Sequence, residues 1–493
     1  MGKKIKIILV DAYIGNFPSL GLAYIAAYLR EKNGICDIQI LQRKFCPNLI
    51  DRITDEKADI VGYFSITPGF DKLLEVIAGV RKRDSGVAQI MGGPHMTALP
   101  KRLPKEINVG VISEGEITMS ELVNIYVKYK RFPLQELERV KGIVYWKGEE
   151  IVQNEKREPI KNIDDLPLPA RDLLNIEGYY PVNFRGFPTK ILNSTGMMTS
   201  RGCPFNCAFC QENVLSRFRA HSAKRAVKEI EELINRYKCN FIQIMDDQFL
   251  VSVDRLKKIV QLIIEKKFHK KASFFCYLRA NQITEKTAPL LKKMNTKIVF
   301  IGFESGSDRI LKYLKDKTCS VANNQRAYDL CRKYGMEVYG AFIAGSPDET
   351  MEDLEKTYQF IKKNHLAIGE IFILTPLPGT RIWDYAVSKG YLNPDAEISW
   401  DKLLIKTTSG YKDKLWLSEH ISKEEYYNFY EKKIRPVFWH YLQVANGFSF
   451  IDLLRPVFWK RVRKRPKFFL SVLKQSIIHF FKCKISLYNE KVQ

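Results

Sequence analysis

No run of about 18 uninterrupted apolar residues occurs in this 493-residue chain, so no membrane-spanning helix is expected. The first fifteen residues have an apolar run only from Ile7 to Val10 before Asp11 interrupts it. That is too short for the core of a secretory signal and reads as a first β-strand, so a cytoplasmic location is expected. Acidic residues are scarce, 55 against 79 Lys and Arg, which leaves a formal charge of +24. From Arg455 onward eleven basic residues meet a single acid, Glu490. Such an excess favours an anionic partner: nucleic acid, a membrane surface or a charged substrate. Ten cysteines are present, but not in the spacing of a disulfide framework. Cys36, Cys46, Cys239, Cys276, Cys319, Cys331 and Cys483 are scattered, and most of them read as buried small hydrophobes in a reducing compartment. Only Cys203, Cys207 and Cys210 stand together.

The length calls for two or three domains. Short apolar runs at 6–10, 37–41, 59–65, 88–91 and 109–113 alternate with helical patterns at 20–32 and 70–83. This is the signature of an α/β domain with a doubly wound parallel sheet, flavodoxin-like (Rossmann-like), over 1–135. Ligands of such sheets bind at the carboxyl ends of the strands, here glycine-punctuated at 15–21, 65–69, 92–95 and 114–116. A proline-rich stretch, Asp164 to Pro169, marks a linker, assigned to 136–194. A second alternating series at 195–385 has strands expected at 196–200, 241–245, 272–278, 297–303, 337–343 and 370–374. Six such units suggest a partial (β/α)6 barrel of TIM type, with its site at the strands' carboxyl ends. After about Trp400 the alternation stops, and 386–493 reads as a helical, aromatic and basic C-terminal region.

The stretch from Arg201 to Cys210 carries the chemistry. Three thiolates spaced CxxxCxxC can hold three irons of a cubane and leave the fourth open. A structural zinc site wants four ligands, and no local His or Cys supplies the fourth. A catalytic zinc with three ligands remains the competitor on spacing alone. The loop's position, directly after the first barrel strand, is where a catalytic loop belongs.

With an aromatic residue before the last cysteine, CxxxCxxC resembles the radical S-adenosylmethionine (SAM) superfamily. The resemblance implies a 4Fe–4S cluster on Cys203, Cys207 and Cys210, whose open iron takes the amine and carboxylate of SAM. It places Phe209 by the adenine and Asp246-Asp247 at the SAM-amine position. It also implies cofactor contacts from Arg279, Glu304 and Gly345 at the ends of the third, fourth and fifth strands.

Leu20-Gly21, Gly92-Gly93-Pro94-His95 and Glu114-Gly115-Glu116 resemble the cobalamin-binding domain that precedes the barrel in one large class of these enzymes. Cobalamin contacts are accordingly expected from Leu20, Gly21, Ser65, Gly92, Gly93, Glu114, Gly115 and Glu116. The first loop carries Tyr13 where a DxHxxG motif would offer histidine to cobalt, so cobalamin is expected without that ligand; His95 is the alternative. The class includes cobalamin-dependent C-methyltransferases, which act through a 5′-deoxyadenosyl radical and methylcobalamin. It also includes anaerobic cyclases that oxidise without net methyl transfer. A low-potential donor of flavodoxin or ferredoxin type is implied as reductant. The basic, aromatic tail after Arg455 points to peripheral membrane contact and a lipid or isoprenoid among candidate small-molecule substrates. No nucleic-acid-reading module is recognised.

Overall fold

A computed structural model describes residues 5–15, 17–35, 37–179, 193–211, 217–394, 396, 398–403 and 414–437. Two compact units emerge: Met1–Asn183 with Ile191–Arg435, and Phe184–Lys190 with Pro436–Gln493. Apart from Pro436 and Val437 the second unit, including the basic tail, lies outside the described residues.

The first sheet forms where the apolar runs predicted strands: β1 (Ile7–Asp11), β2 (Ile38–Gln42), β3 (Ile60–Phe64), β4 (Ala88–Gly92) and β5 (Val109–Val111). These five are parallel, and the order β2-β1-β3-β4-β5 puts β1 between β2 and β3. All five residues of β1 are buried, as a central strand covered on both faces requires. One face is covered by helices Leu20–Asn33 and Glu116–Tyr129 through Leu22, Ala26, Leu29, Met119, Leu122 and Val123. The other is covered by Leu49–Asp55 and Phe70–Arg83, joined by Trp383, Trp400 and Leu403 from far along the chain.

The linker expectation is corrected here. β6 (Ile143–Lys147) and β7 (Glu150–Gln153) form a hairpin about Gly148 (φ +64°) and extend the sheet antiparallel from β5. The first domain therefore runs past residue 135 to at least 153.

The second sheet has six parallel strands: β8 (Ser194–Met197), β11 (Phe241–Ile244), β12 (Ser273–Arg279), β13 (Thr296–Glu304), β14 (Glu337–Ala344) and β15 (Ala367–Ile373). Their spatial order follows the chain, as in an open half-barrel. A short antiparallel ladder, β9 (Ser200–Arg201) with β10 (Arg219–Ala220), interrupts the first connection. Helix Ala223–Asn235 shows the local logic. Ser222 caps it by accepting from the Arg225 N–H, and Ala226, Ile230, Leu233 and Ile234 form its buried stripe. No described helix is long and apolar enough to cross a membrane.

Candidate functional site

The cysteine loop leaves β9 at Gly202, whose φ of +74° suits glycine, and returns through β10. Between the cysteines it is nailed to the barrel. The Ala208 N–H donates to Leu314 O at 2.7 Å, and its carbonyl accepts from Ile382 N at 3.3 Å. Ala208 is buried among Ile310, Leu314, Ile343, Leu374 and Ile382, with Phe209 packed alongside. The three sulfurs are half-buried thiols.

Burial pushes the Cys203 thiol up to about 11. Cys207 is also raised by burial, against the opposing pull of Lys315 and Arg279. Arg279 is 2% exposed, donates to Cys207 Sγ at 3.3 Å, pairs with Asp316 at 2.6 Å and lies 4.0 Å from the Phe205 ring centroid. Buried thiols of this kind become ligands when a metal ion takes their protons. Three half-buried thiols on one loop can each take one of three irons of a cubane and leave the fourth iron open. The donor set therefore fits the cluster.

The strand ends divide into two kinds. Asp246 is fully buried and accepts from Thr199 N, Thr199 Oγ1 and Ser200 Oγ, tying β11 to the turn after β8. Its oxygens are taken up within the fold rather than presented to a ligand, whereas Asp247 is half-buried and its charge is felt at Cys203. Glu304 ends β13 at φ +61°, a strained conformation for a non-glycine residue, and folds back over Gly302. A Cβ at Gly302 would stand 2.3 Å from Glu304 Oε1. Lys315, 5% exposed, reaches Glu304 at 3.2 Å and Gly302 O at 2.6 Å. Gly345 (φ +89°) directly follows β14 with the Trp416 ring over it, and its N–H donates to the buried Glu349.

In the first domain, several predicted contacts are spent internally. Ser65 is fully buried, its Oγ donating to Gly92 O at 2.8 Å. Gly93 (φ +111°) is glycine because a Cβ would meet Ser65 O at 2.5 Å. Leu20 packs with Ala23, Leu174 and Ile176. Gly115 faces Ile25, and Glu114 and Glu116 accept from Arg201 and Arg219 across to the barrel. His95 does not suit a cobalt ligand. It is 1% exposed, stacked on Phe70 at 3.7 Å, edge-on to Trp400 at 4.5 Å, and its Nδ1 lies 3.1 Å from Thr67 Oγ1. What is open is Gly21, with nothing within 4 Å of a built Cβ, and the apolar Tyr13 and Ile14, 40% and 56% exposed. Exposed apolar side chains in the loop after β1, and an uncrowded glycine in the first turn of the helix that follows, leave that end of the sheet open to a broad ring without protein histidine.

Sequence reasoning missed Lys315, Asp316, Trp400 and the roles of Thr199, Ser200, Arg201 and Arg219. Only Arg201 carried a signal, as the residue opening the cysteine motif.

Residues 197–361 match the Radical SAM superfamily, and residues 6–123 the B12 binding domain. The chain is 33% identical over 438 residues to an uncharacterized methyltransferase of Pyrococcus horikoshii, covering 86% of this chain and 91% of that one. It is 28% identical over 377 residues to the anaerobic magnesium-protoporphyrin IX monomethyl ester cyclase of Rubrivivax gelatinosus, covering 74% and 65%. Among solved structures, the radical SAM methyltransferase TsrM from Kitasatospora setae, with cobalamin and a [4Fe-4S] cluster bound, superimposes with a TM-score of 0.64. The identity is 16%, covering 79% of this chain and 75% of that one. The cobalamin-dependent radical enzyme OxsB with aqua-cobalamin gives 0.66 at 18% identity, covering 82% and 64%. Those two likenesses are of fold.

Proposed function

The chain belongs to the radical SAM superfamily, with a B12 binding domain ahead of its barrel, and from that premise we propose that it is a cobalamin-dependent methyltransferase acting on an unactivated carbon. One observation carries the reading: three half-buried thiols at the barrel mouth, with Arg279 on Cys207, in the same compact unit as the first domain.

Cys203, Cys207 and Cys210 would hold the cluster as thiolates, with one iron left open. When bound, the cluster and SAM supply one-electron cleavage chemistry, and the corrinoid supplies a methyl carrier. Arg279 sets a fixed positive charge against Cys207, and Lys315 adds a second, which suits an anionic cluster. Asp247 and Glu304 offer carboxylates for the SAM ammonium. Phe209 would flank the adenine and Gly345 would border it. In the first domain Gly21, Tyr13 and Ile14 would meet the corrinoid. Ser65, Gly92, Gly93 and Leu20 shape the loops beneath it, and Glu114, Gly115 and Glu116 hold them to the barrel. Packing around Ala208 keeps water from the underside of the loop.

The test is anaerobic incubation of the reconstituted protein with SAM bearing a deuterated methyl group, a low-potential reductant and an extract of candidate small molecules and lipids. A product heavier by one labelled methyl, absent with Cys207→Ala, supports methyl transfer. The similarity to the cyclase favours a second reading, oxidation or ring formation; 5′-deoxyadenosine with an unlabelled product would select it. The basic stretch from Arg455 motivates peripheral contact with anionic lipid. Unchanged liposome binding after truncation at 455 would remove that part of the proposal.

A further inference from the structure

The base of the cysteine loop is held by the first domain as well as by the barrel. The β9–β10 ladder that closes the loop contributes one arginine from each strand, and both meet Glu114. Arg201 Nη1 donates to Glu114 Oε1 at 3.0 Å and Nη2 to Glu116 Oε1 at 2.6 Å. Arg219 donates from Nη1 to Glu114 Oε2 and from Nη2 to Oε1, both at 2.9 Å, in the two-pronged geometry only arginine offers. Two acids and two arginines make a neutral quartet, and all four side chains are 5–16% exposed. Burial raises Glu114, but Arg219 and Arg201 bring it below the ordinary carboxylate range, so it is charged at neutral pH.

The quartet is continuous with both neighbours. Ser113, at φ +67°, donates its N–H to Thr97 Oγ1 at 2.9 Å, tying the Glu114 loop to the short helix Pro94–Ala98 after Gly93. Arg201 also lies 5.2 Å from the ring centroid of Tyr24, on the helix whose first turn carries the open Gly21, and Tyr24 Oη donates to the buried Glu229 of the barrel. Continuous contacts therefore run from the Glu114 loop and from the helix Leu20–Asn33 into Arg201, the residue that precedes Gly202 and Cys203. A surface ion pair would be worth little, but a shielded, multidentate one fixes geometry.

We propose that Glu114, through Arg201 and Arg219, is a positioning residue by which the first domain sets the conformation of the cysteine loop. The effect on the loop stands on geometry alone; only its effect on the cluster rests on the functional reading above.

The experiment uses the full-length chain, anaerobically reconstituted with iron and sulfide. It compares wild type, Glu114→Gln and, as control, Glu121→Gln, which alters a carboxylate of the helix that follows, paired instead to Arg157. Hydrogen exchange should be at least tenfold faster in Glu114→Gln for amides of 199–203 and 217–221, with β1, β3 and β4 unchanged and the control like wild type. The electron paramagnetic resonance spectrum of the dithionite-reduced cluster should change shape in Glu114→Gln alone. Wild-type exchange at the loop base would overturn the proposal, as would acceleration shared equally by β1, β3 and β4. If wild type takes up no cluster, the functional reading fails, and the exchange measurement still decides for or against the positioning role. Should Glu114→Gln not fold, Arg219→Lys replaces it: it keeps the charge but loses the fork, and the same local acceleration is expected.

Discussion

Replacing Arg171 by methionine tests how the linker segment locks the first domain to the barrel. Arg171 is fully buried, donates to Glu229 at 2.6 Å and Gly196 O at 3.1 Å, and leaves Nε and Nη1 without partners. Glu229, on the barrel helix, is also buried and touches Arg225 at 3.3 Å and Tyr24 Oη at 3.4 Å. Close attraction between two unit charges is worth roughly 4 kcal/mol at an effective dielectric of 20. That is comparable with the several kcal/mol each ion loses on leaving water, so the intact pair is close to break-even. Removing one partner is different, because Glu229 is then buried with a single, weaker counter-ion. Breaking a buried pair costs about 3–5 kcal/mol, and Arg225 should hold the loss near the lower figure. Urea unfolding followed by tryptophan fluorescence should show Arg171→Met about 3 kcal/mol less stable with an unchanged slope. The double variant Arg171→Met/Glu229→Leu should recover most of that loss. A single variant within about 1 kcal/mol of wild type, or a double variant as weak as the single, would refute the reasoning.

Three further outcomes are expected. Burial holds His95 neutral down to about 3, and burial with Arg225 holds His221 neutral down to about 4. The unfolded chain therefore binds protons from about pH 6.5 that the folded chain refuses, and stability falls with acidification by up to roughly 1.4 kcal/mol per pH unit for each. His95→Gln should flatten that slope when urea midpoints at pH 7 and 5 are compared; an unchanged slope would contradict it. Burial pushes Glu349 up to about 8, so between about 4.5 and 8 only the unfolded chain is deprotonated and stability falls as pH rises. Glu349→Gln should gain stability over wild type at pH 8 relative to pH 5, measured by the same titrations, and an equal difference at both would argue against it. Gly302→Ala should displace Glu304 and lower the protein's affinity for SAM at least tenfold in equilibrium dialysis; unchanged affinity would remove Glu304 from the site.

The fold was legible where one short signal decides an element. Ile7–Val10 or Phe241–Ile244 has few alternatives to a buried strand, and all eleven expected parallel strands are present. The hairpin at 143–153 was hidden because its neighbours read as linker, although Gly148 between two apolar runs was the available sign. The cysteine trio announces itself through spacing. Asp246, an acid at a strand end, looks like a ligand contact in the sequence, whereas Thr199 and Ser200, 47 and 46 residues away, claim its oxygens. Gly93 is explained within the domain itself, because the backbone of Ser65 approaches where a Cβ would stand. Trp400 against His95 and Lys315 against Glu304 are tertiary meetings that no local pattern encodes.

On the proposed reading, Cys203, Cys207 and Cys210 would hold a cluster that binds SAM, with a corrinoid on the first domain. Anaerobic reconstitution with iron, sulfide and hydroxocobalamin, followed by metal analysis and electron paramagnetic resonance with and without SAM, tests it most directly. The account predicts a cubane's iron and sulfide, a stoichiometric corrinoid and a cluster spectrum shifted by SAM, with the cluster lost in Cys207→Ala. A cluster-free wild type, or a Cys207→Ala protein with the same spectrum and the same response to SAM, would contradict it.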